Sequence, residues 1–257
     1  MPEGDTLWNI AHRLGPLVVG HRVDEIEVHR PRYPAPRPGT RIDDVTAVGK
    51  HLLVTFDGGT ILHTHLLMAG EWHVYRVGER WRDSQGAVRV RLRVNGLDAI
   101  CFRAPTADVY PPKDPRQRPW LQLGPDLCRD GVDHDDIIRR ASTSDSRREI
   151  ADVLLDQRIA AGIGNVYKSE TLWACRTDPF APLTRFGVAE VIELYDTASR
   201  LLRANLGRAK RQTFQRSLAV YGRANRDCPR CHQTIRIERQ GDLARLTYWC
   251  PACQTRP

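Results

Sequence analysis

The sequence predicts a multi-domain α+β chain, and three observations carry that prediction. From Val23 to Phe102, short apolar runs alternate with polar residues at a period of two, the pattern of strands. From Glu149 onward, apolar residues recur every three or four positions, the pattern of helices. Near the end, two Cys-x-x-Cys pairs flank a stretch with the spacing of a hairpin. The 257 residues allow one large or two medium domains, and an apolar content of 41% is enough to bury a core. The expected division is an N-terminal β-rich domain over 1–121, a helical domain over 122–222 and a cysteine-bearing hairpin over 223–257.

The first element is a helix. Leu7, Ile10, Ala11 and Leu14 fall at helical spacing, and Asp5 or Thr6 can cap it. Strands follow. Val88, Val90, Leu92 and Val94 alternate with Arg89, Arg91 and Arg93, and His51–Phe56, Thr60–Leu67 and Glu71–Arg76 are further short strands. Six or more strands in this span suggest a β-sandwich or barrel-like domain. The proline-rich stretch from Pro31 to Pro38 is a loop, and Tyr110–Gly124, rich in Pro, Lys and Arg, is a linker. Beyond it, Glu149–Asp156, Asn165–Cys175, Val188–Leu206 and Ala209–Tyr221 are expected to be helical.

The tail holds Cys228-Pro-Arg-Cys231 and Cys250-Pro-Ala-Cys253. Four thiolates in two such knuckles suit a tetrahedral structural Zn²⁺. All four coordination positions are then filled by protein, so the metal is structural and takes no part in chemistry. Between the pairs, Thr234–Arg239 and Leu243–Trp249 form strands about a turn at Gln240-Gly241-Asp242. The other cysteines, Cys101, Cys128 and Cys175, read as small core residues. A zinc site and unpaired cysteines point to a reducing compartment.

Charge narrows the partner. The formal net charge is +8, and Arg200–Pro257 holds thirteen Arg or Lys against three Asp or Glu. A basic tail on a near-neutral body suggests a polyanion, most often nucleic acid. An acidic membrane surface is the weaker rival, because no long apolar helix, lipidation signal or signal-peptide pattern is present.

The residues with chemical promise are scattered. Removal of Met1 leaves Pro2 with a free secondary amine; α-amines titrate at about 7.7–8.0, so a nucleophilic fraction exists near neutral pH. Such an amine forms Schiff bases with carbonyl carbons, and Glu3 beside it can move a proton. Taken alone, Met1-Pro2 reads as an ordinary methionine-removal site and Glu3 as a solvated side chain. Gly162-Ile163-Gly164-Asn165 makes a tight turn into a helix N-terminus, a phosphate-binding arrangement or a plain interhelix turn. Arg245 in the hairpin and Lys50 after a strand end are candidate phosphate contacts. The Leu67-Met68 tip is either a wedge for a base stack or core packing at a strand end.

Together these pieces resemble the formamidopyrimidine-DNA glycosylase / endonuclease VIII family. The motifs span nearly the whole chain: Met1-Pro-Glu-Gly, Gly49-Lys50-His51-Leu52-Leu53, His65-Leu-Leu-Met-Ala-Gly70, Leu154-Leu-Asp-Gln157 running into Ala161-Gly-Ile-Gly-Asn165, Val220-Tyr-Gly-Arg223 and Arg245-x-Thr-Tyr-Trp-Cys250. The opening and the Tyr-Trp-Cys-Pro run are closer to the endonuclease VIII branch.

The resemblance implies an N-terminal β-sandwich with a leading helix, a helix–two-turn–helix domain and a zinc hairpin. It implies a cytoplasmic monomer that binds damaged DNA and acts in base excision repair as a glycosylase and abasic-site lyase, with oxidised pyrimidines as substrates. Pro2 would be the nucleophile and Glu3 the acid/base. Lys50 would act at the reacting nucleotide by gripping a phosphate, as would Asn165 and Arg245. Met68, with Leu67 beside it, would fill the vacated stack. Cys228, Cys231, Cys250 and Cys253 would hold one zinc ion. Two alternatives stay open: the same fold preferring 8-oxoguanine, formamidopyrimidines or abasic sites, and a DNA-binding protein without catalysis. Two departures from the family bear on them. Position 6, commonly glutamate, is Thr6, and Arg103–Tyr110 lacks the arginine–aromatic pair of the purine-repairing branch.

Overall fold

The structure, a computed structural model, describes residues 1–113, 118–242 and 244–256. Part of the expected linker and Leu243 of the expected hairpin lie outside the described residues. The chain divides into two units, Met1–Gln122 and Leu123–Pro257.

The first unit begins with α1 (Gly4–Val18) and continues through eight strands: β1 (Val23–Val28), β2 (Ile42–Val48), β3 (His51–Phe56), β4 (Ile61–His65), β5 (Glu71–Arg76), β6 (Val88–Val94), β7 (Leu97–Phe102) and β8 (Thr106–Tyr110). They form two antiparallel four-stranded sheets, ordered β1-β6-β7-β5 and β2-β3-β4-β8. The core between them takes Val90, Leu92 and Val94 from one sheet, Leu52, Val54 and Leu62 from the other, and Leu7, Ile10, Ala11, Leu14 and Val18 from α1. The period of two in β6 works as the sequence predicts. Val90, Leu92 and Val94 are buried, and Arg91 and Arg93 between them face carboxylates on neighbouring strands: Arg93 pairs with Glu25 at 2.6 Å and Asp98 at 2.9 Å. Opposite charges across a ladder stabilise the pairing. This arginine row therefore belongs to the sheet.

The start of α1 differs from expectation. Glu3, rather than Asp5 or Thr6, is the N-cap residue, and the helix begins at Gly4. Thr6 instead stands at the third helical position, where its hydroxyl accepts the Glu3 backbone N–H at 3.3 Å. This is one half of a capping box, and it gives Thr6 a local structural job.

The second unit holds α2 (His134–Ser142), α3 (Ile150–Leu155), α4 (Asn165–Ala174), α5 (Val188–Arg203) and the hairpin β9 (Arg236–Gln240) with β10 (Arg245–Trp249). Helix α2 has no counterpart in the sequence reading. Only Ile137 and Ala141 of its nine residues are buried, so it has almost no apolar stripe. Its signal is the cap: the Asp133 side chain accepts from Asp136 N–H at 2.9 Å.

The helix expected over Ala209–Tyr221 does not form. Gln215 and Arg216 have φ of 42° and 66°, which break a right-handed helix. The competing interaction is Glu170 of α4, buried at 1% exposure. Its carboxylate accepts the backbone N–H groups of Ala219, Val220 and Tyr221 at 2.7, 2.9 and 2.8 Å, and also the Thr213 hydroxyl. Those N–H groups are the ones a helix would have used. Glu170→Gln turns an amide NH₂ toward backbone donors, so urea unfolding should show a loss of about 1–3 kcal/mol. An unchanged midpoint would mean that the carboxylate does not hold this segment.

Candidate active site and metal centre

In the first unit, Pro2 precedes α1 and is partly buried, while Glu3 is fully buried. Burial beside the N-terminus removes one plain alternative, a solvated surface glutamate. Helix α1 packs along β2 and β3, which are joined by the two-residue turn Gly49-Lys50. Gly49 takes the left-handed φ of 56° that such a turn demands at its first position. Lys50 is thereby placed at the start of β3. His51 pairs with His65 across β3 and β4, so Lys50 and the turn after β4 leave the sheet at the same end.

That turn carries Leu67 and Met68, exposed at 48% and 64%. Of the two readings for this tip, core packing is thus excluded. Leu66 is buried beneath it and Gly70 closes it: a Cβ on Gly70 would lie 2.8 Å from the Leu66 backbone. The tip is a rigidly based apolar point in solvent. Arg103, in the loop that departs from the family pattern, is held by Glu71 and Asp83.

In the second unit, Gly162 has a φ of 114° and Gly164 caps α4, whose first residue is Asn165. The Asn165 side chain donates from Nδ2 to the Leu246 carbonyl at 2.6 Å, tying the helix start to the residue beside Arg245. Arg245 is exposed. A buried chain extends this tie. Lys168 Nζ donates to Thr247 Oγ1 at 2.7 Å, and Thr247 donates to Gln240 Oε1 at 2.5 Å. Gln240 Nε2 then reaches Glu149 and the Pro179 carbonyl, both at 2.8 Å. The turn of the hairpin sits on α3, where a Cβ on Gly241 would fall 2.4 Å from the Asp152 carboxylate. Asn165 and Arg245 are therefore carried on one cross-linked support. The network escapes a sequence reading because Lys168, Thr247 and Gln240 look like ordinary surface residues until the hairpin is docked.

The sulfurs of Cys228, Cys231, Cys250 and Cys253 all lie within 4.8 Å of one another, with Cys231–Cys250 at 3.4 Å and Cys228–Cys253 at 3.9 Å. Four thiolates at about 2.3 Å from a tetrahedral zinc stand about 3.8 Å apart. The donor set fits. Burial alone would raise the Cys228 thiol, but the Trp173 indole N–H and backbone N–H groups outweigh it and hold the thiol at about 6. Burial and the neighbouring sulfurs push Cys253 up to about 12. Four sulfurs this close ionise together only around a cation. The cluster is walled by Trp173, Ala219, Val220 and Ile235.

One group of residues was not singled out by the sequence. On the outer face of the β2-β3-β4-β8 sheet, His51, His63 and His65 meet Tyr110 and Trp120. The signal available was the alternation His63-Thr64-His65, which puts both imidazoles on the face opposite Leu62 and Leu66. Burial holds His51 down at about 4, aided by His65 and Lys50, and His63 at about 3, aided by His51 and His65. Both titrate lower in the folded chain than near 6.5 unfolded, so protons favour unfolding. Their contribution is full above about pH 6.5 and is lost as the pH falls toward 4. Calorimetry should therefore show Tm falling between pH 7 and pH 5, and less steeply in His63→Phe. Equal slopes would contradict this assignment.

An N-terminal β-sandwich, a helical unit with a glycine-turned helix start and a four-cysteine hairpin are the parts that the sequence resemblance implies. The comparisons agree. Residues 1–106 match the formamidopyrimidine-DNA glycosylase N-terminal domain, and residues 123–216 match its H2TH domain. The chain is 38% identical to "Probable endonuclease 8 2" of Streptomyces coelicolor, over 100% of this chain and 95% of that one. It is 33% identical to "DNA-(apurinic or apyrimidinic site) lyase Nei2" of Mycolicibacterium smegmatis, over 99% of both. Among solved structures, the MutM (Fpg) protein of Thermus thermophilus superposes with a TM-score of 0.81 at 28% identity, over the full length of both chains. The chain belongs to the formamidopyrimidine-DNA glycosylase / endonuclease VIII family, on its endonuclease VIII branch.

Proposed function

We propose that this chain is a bifunctional DNA glycosylase and abasic-site lyase of base excision repair that works through the amine of Pro2. The observation that carries the reading is the Pro2-Glu3 pair, with Glu3 fully buried as the cap of α1, in a chain of this family. Once Met1 is removed, the Pro2 nitrogen attacks C1′ of the damaged nucleotide. The glycosidic bond breaks and the base departs with the bonding electron pair and a proton. Glu3 delivers protons as the sugar ring opens. The resulting iminium acidifies the C2′ hydrogens. Loss of one of them expels the 3′ phosphate, a second elimination expels the 5′ phosphate, and water releases Pro2.

A base must leave the stack before any of this, at a cost of a few kcal/mol. Lys50, Asn165 and Arg245 hold the flanking phosphates, and Met68 with Leu67 fills the gap; the exposure of that tip supports its role. The four cysteines hold one Zn²⁺, which fixes the hairpin bearing Arg245 and supplies no chemistry. The protein acts as a monomer. Among the described residues, no helix is long and apolar enough to cross a membrane.

Oxidised pyrimidines are the proposed substrates. What the resemblance to the endonuclease VIII branch implies supports this, as does Arg103, which is engaged by carboxylates of its own unit. A panel of duplexes containing thymine glycol, dihydrouracil, 8-oxoguanine, formamidopyrimidine or an abasic site tests it, with gel analysis of both ends. Faster release of the oxidised pyrimidines, leaving phosphate at both ends, is expected. Preference for 8-oxoguanine would refute the pyrimidine assignment, and cutting of none of the five would refute the enzyme.

A further inference from the structure

The histidine cluster offers more than packing. His51 Nδ1 and His63 Nε2 are 2.8 Å apart, so one of them donates to the other. The surroundings decide which. His63 is 1% exposed, and its other nitrogen, Nδ1, is buried with no hydrogen-bond partner among the described residues. If His51 donated, His63 would bear its proton on Nδ1, leaving a buried N–H unpaired. Orphaned buried N–H groups are rarer and costlier than unpaired acceptors. His63 therefore donates from Nε2 and keeps Nδ1 bare, and His51 accepts at Nδ1. A neutral His51 then carries its own proton on Nε2.

Among the described residues, no acid is available to change this. Asp108 lies opposite His63 across β4 and β8. Its Oδ1 accepts from the backbone of Arg32 at 2.6 Å and of Val109 at 2.9 Å, and its Oδ2 faces the Arg32 guanidinium at 3.1 Å. The remaining neighbours are cationic or neutral: Lys50 and His65 beside His51, and Tyr110 and Trp120 against His63. The two ring nitrogens of an imidazole point to widely separated sides, so the Nε2–H of His51 is directed away from His63. His51 itself is only partly buried and directly follows Lys50.

We propose that His51 donates its Nε2–H to the DNA phosphate taken by Lys50, and that His63 is a positioning residue that fixes the His51 tautomer. The pair gives the site a neutral, directional donor beside an ammonium. The inference rests on the reading of Lys50 as a phosphate contact.

The test uses the full-length protein and a duplex containing a tetrahydrofuran abasic-site analogue. Long-range ¹H–¹⁵N spectra at pH 7.5 should show His51 protonated at Nε2 and bare at Nδ1. Affinity, followed by fluorescence anisotropy, should fall about fivefold in His63→Phe at pH 7.5, the scale of one hydrogen bond. His63→Gln, which retains an N–H donor, should stay within about twofold of the parent. A His51 protonated at Nδ1, or an affinity unchanged in His63→Phe, would overturn the proposal, and the wild-type spectrum decides even if that variant fails to fold. Lys50→Ala separates the two layers: if it binds as the parent does, the phosphate reading itself fails; if it weakens binding while His63→Phe does not, only the role of the histidine pair fails.

Discussion

A chain that keeps any residue ahead of Pro2 is expected to bind abasic-site DNA and leave it intact. In such a chain the Pro2 nitrogen is part of a tertiary amide. Its lone pair is delocalised into the carbonyl, and no nucleophile remains. The fold should tolerate the extension, because α1 begins only at Gly4 and its cap depends on Glu3 and Thr6. Turnover should therefore fall to background while affinity stays near that of the processed chain. Glu3→Gln separates the two halves of the chemistry. It leaves the amine but removes the proton carrier, and base release should drop by about 10²–10⁴-fold. Strand cleavage at a preformed abasic site should suffer less, because an aldehyde there needs no leaving base. Normal turnover in an unprocessed chain, shown by intact mass, would place the nucleophile elsewhere.

Loss of the metal should be the largest effect on the second unit. The hairpin has two five-residue strands and a small core around Trp173, Val220 and Ile235. Structural zinc contributes on the order of 10 kcal/mol in small finger peptides, more than such a ladder can replace. Cys228 and Cys250 are both fully buried, so neither tolerates loss of its thiolate. Cys250→Ala, or treatment with a strong chelator, should expose the segment after Tyr221 to proteases and abolish DNA binding, because Arg245 and the Leu246 carbonyl lose their places. One zinc per chain should be released on thiol modification. A metal-free protein with an intact hairpin and full affinity would contradict the assignment.

What could be read in advance follows the range of the interactions. The sandwich strands declare themselves because each buries one face: Val90, Leu92 and Val94 leave a period of two in the text. The cysteine site is equally legible, since its spacing is its chemistry. The errors lie where a distant group decides a local conformation. The segment over 209–221 has helical spacing, yet the Glu170 carboxylate, some fifty positions earlier, takes its N–H groups. Helix α2 escapes notice for the opposite reason, having a good cap and hardly any apolar face. Glu3 is not an obvious N-cap, and only its burial against the fold singles it out. The links from Asn165 to Leu246 and from His51 to His63 join positions whose proximity comes entirely from sheet register and hairpin docking.

The central claim is that the amine of Pro2 becomes bonded to C1′. Borohydride reduction of the enzyme with an oxidised-pyrimidine duplex, followed by proteolysis and mass spectrometry, tests it most directly. The account predicts a stable adduct whose nucleotide mass sits on the N-terminal peptide beginning at Pro2, in a chain that has lost Met1. An adduct on an internal lysine such as Lys50, or no adduct in a preparation that releases the base, would contradict it.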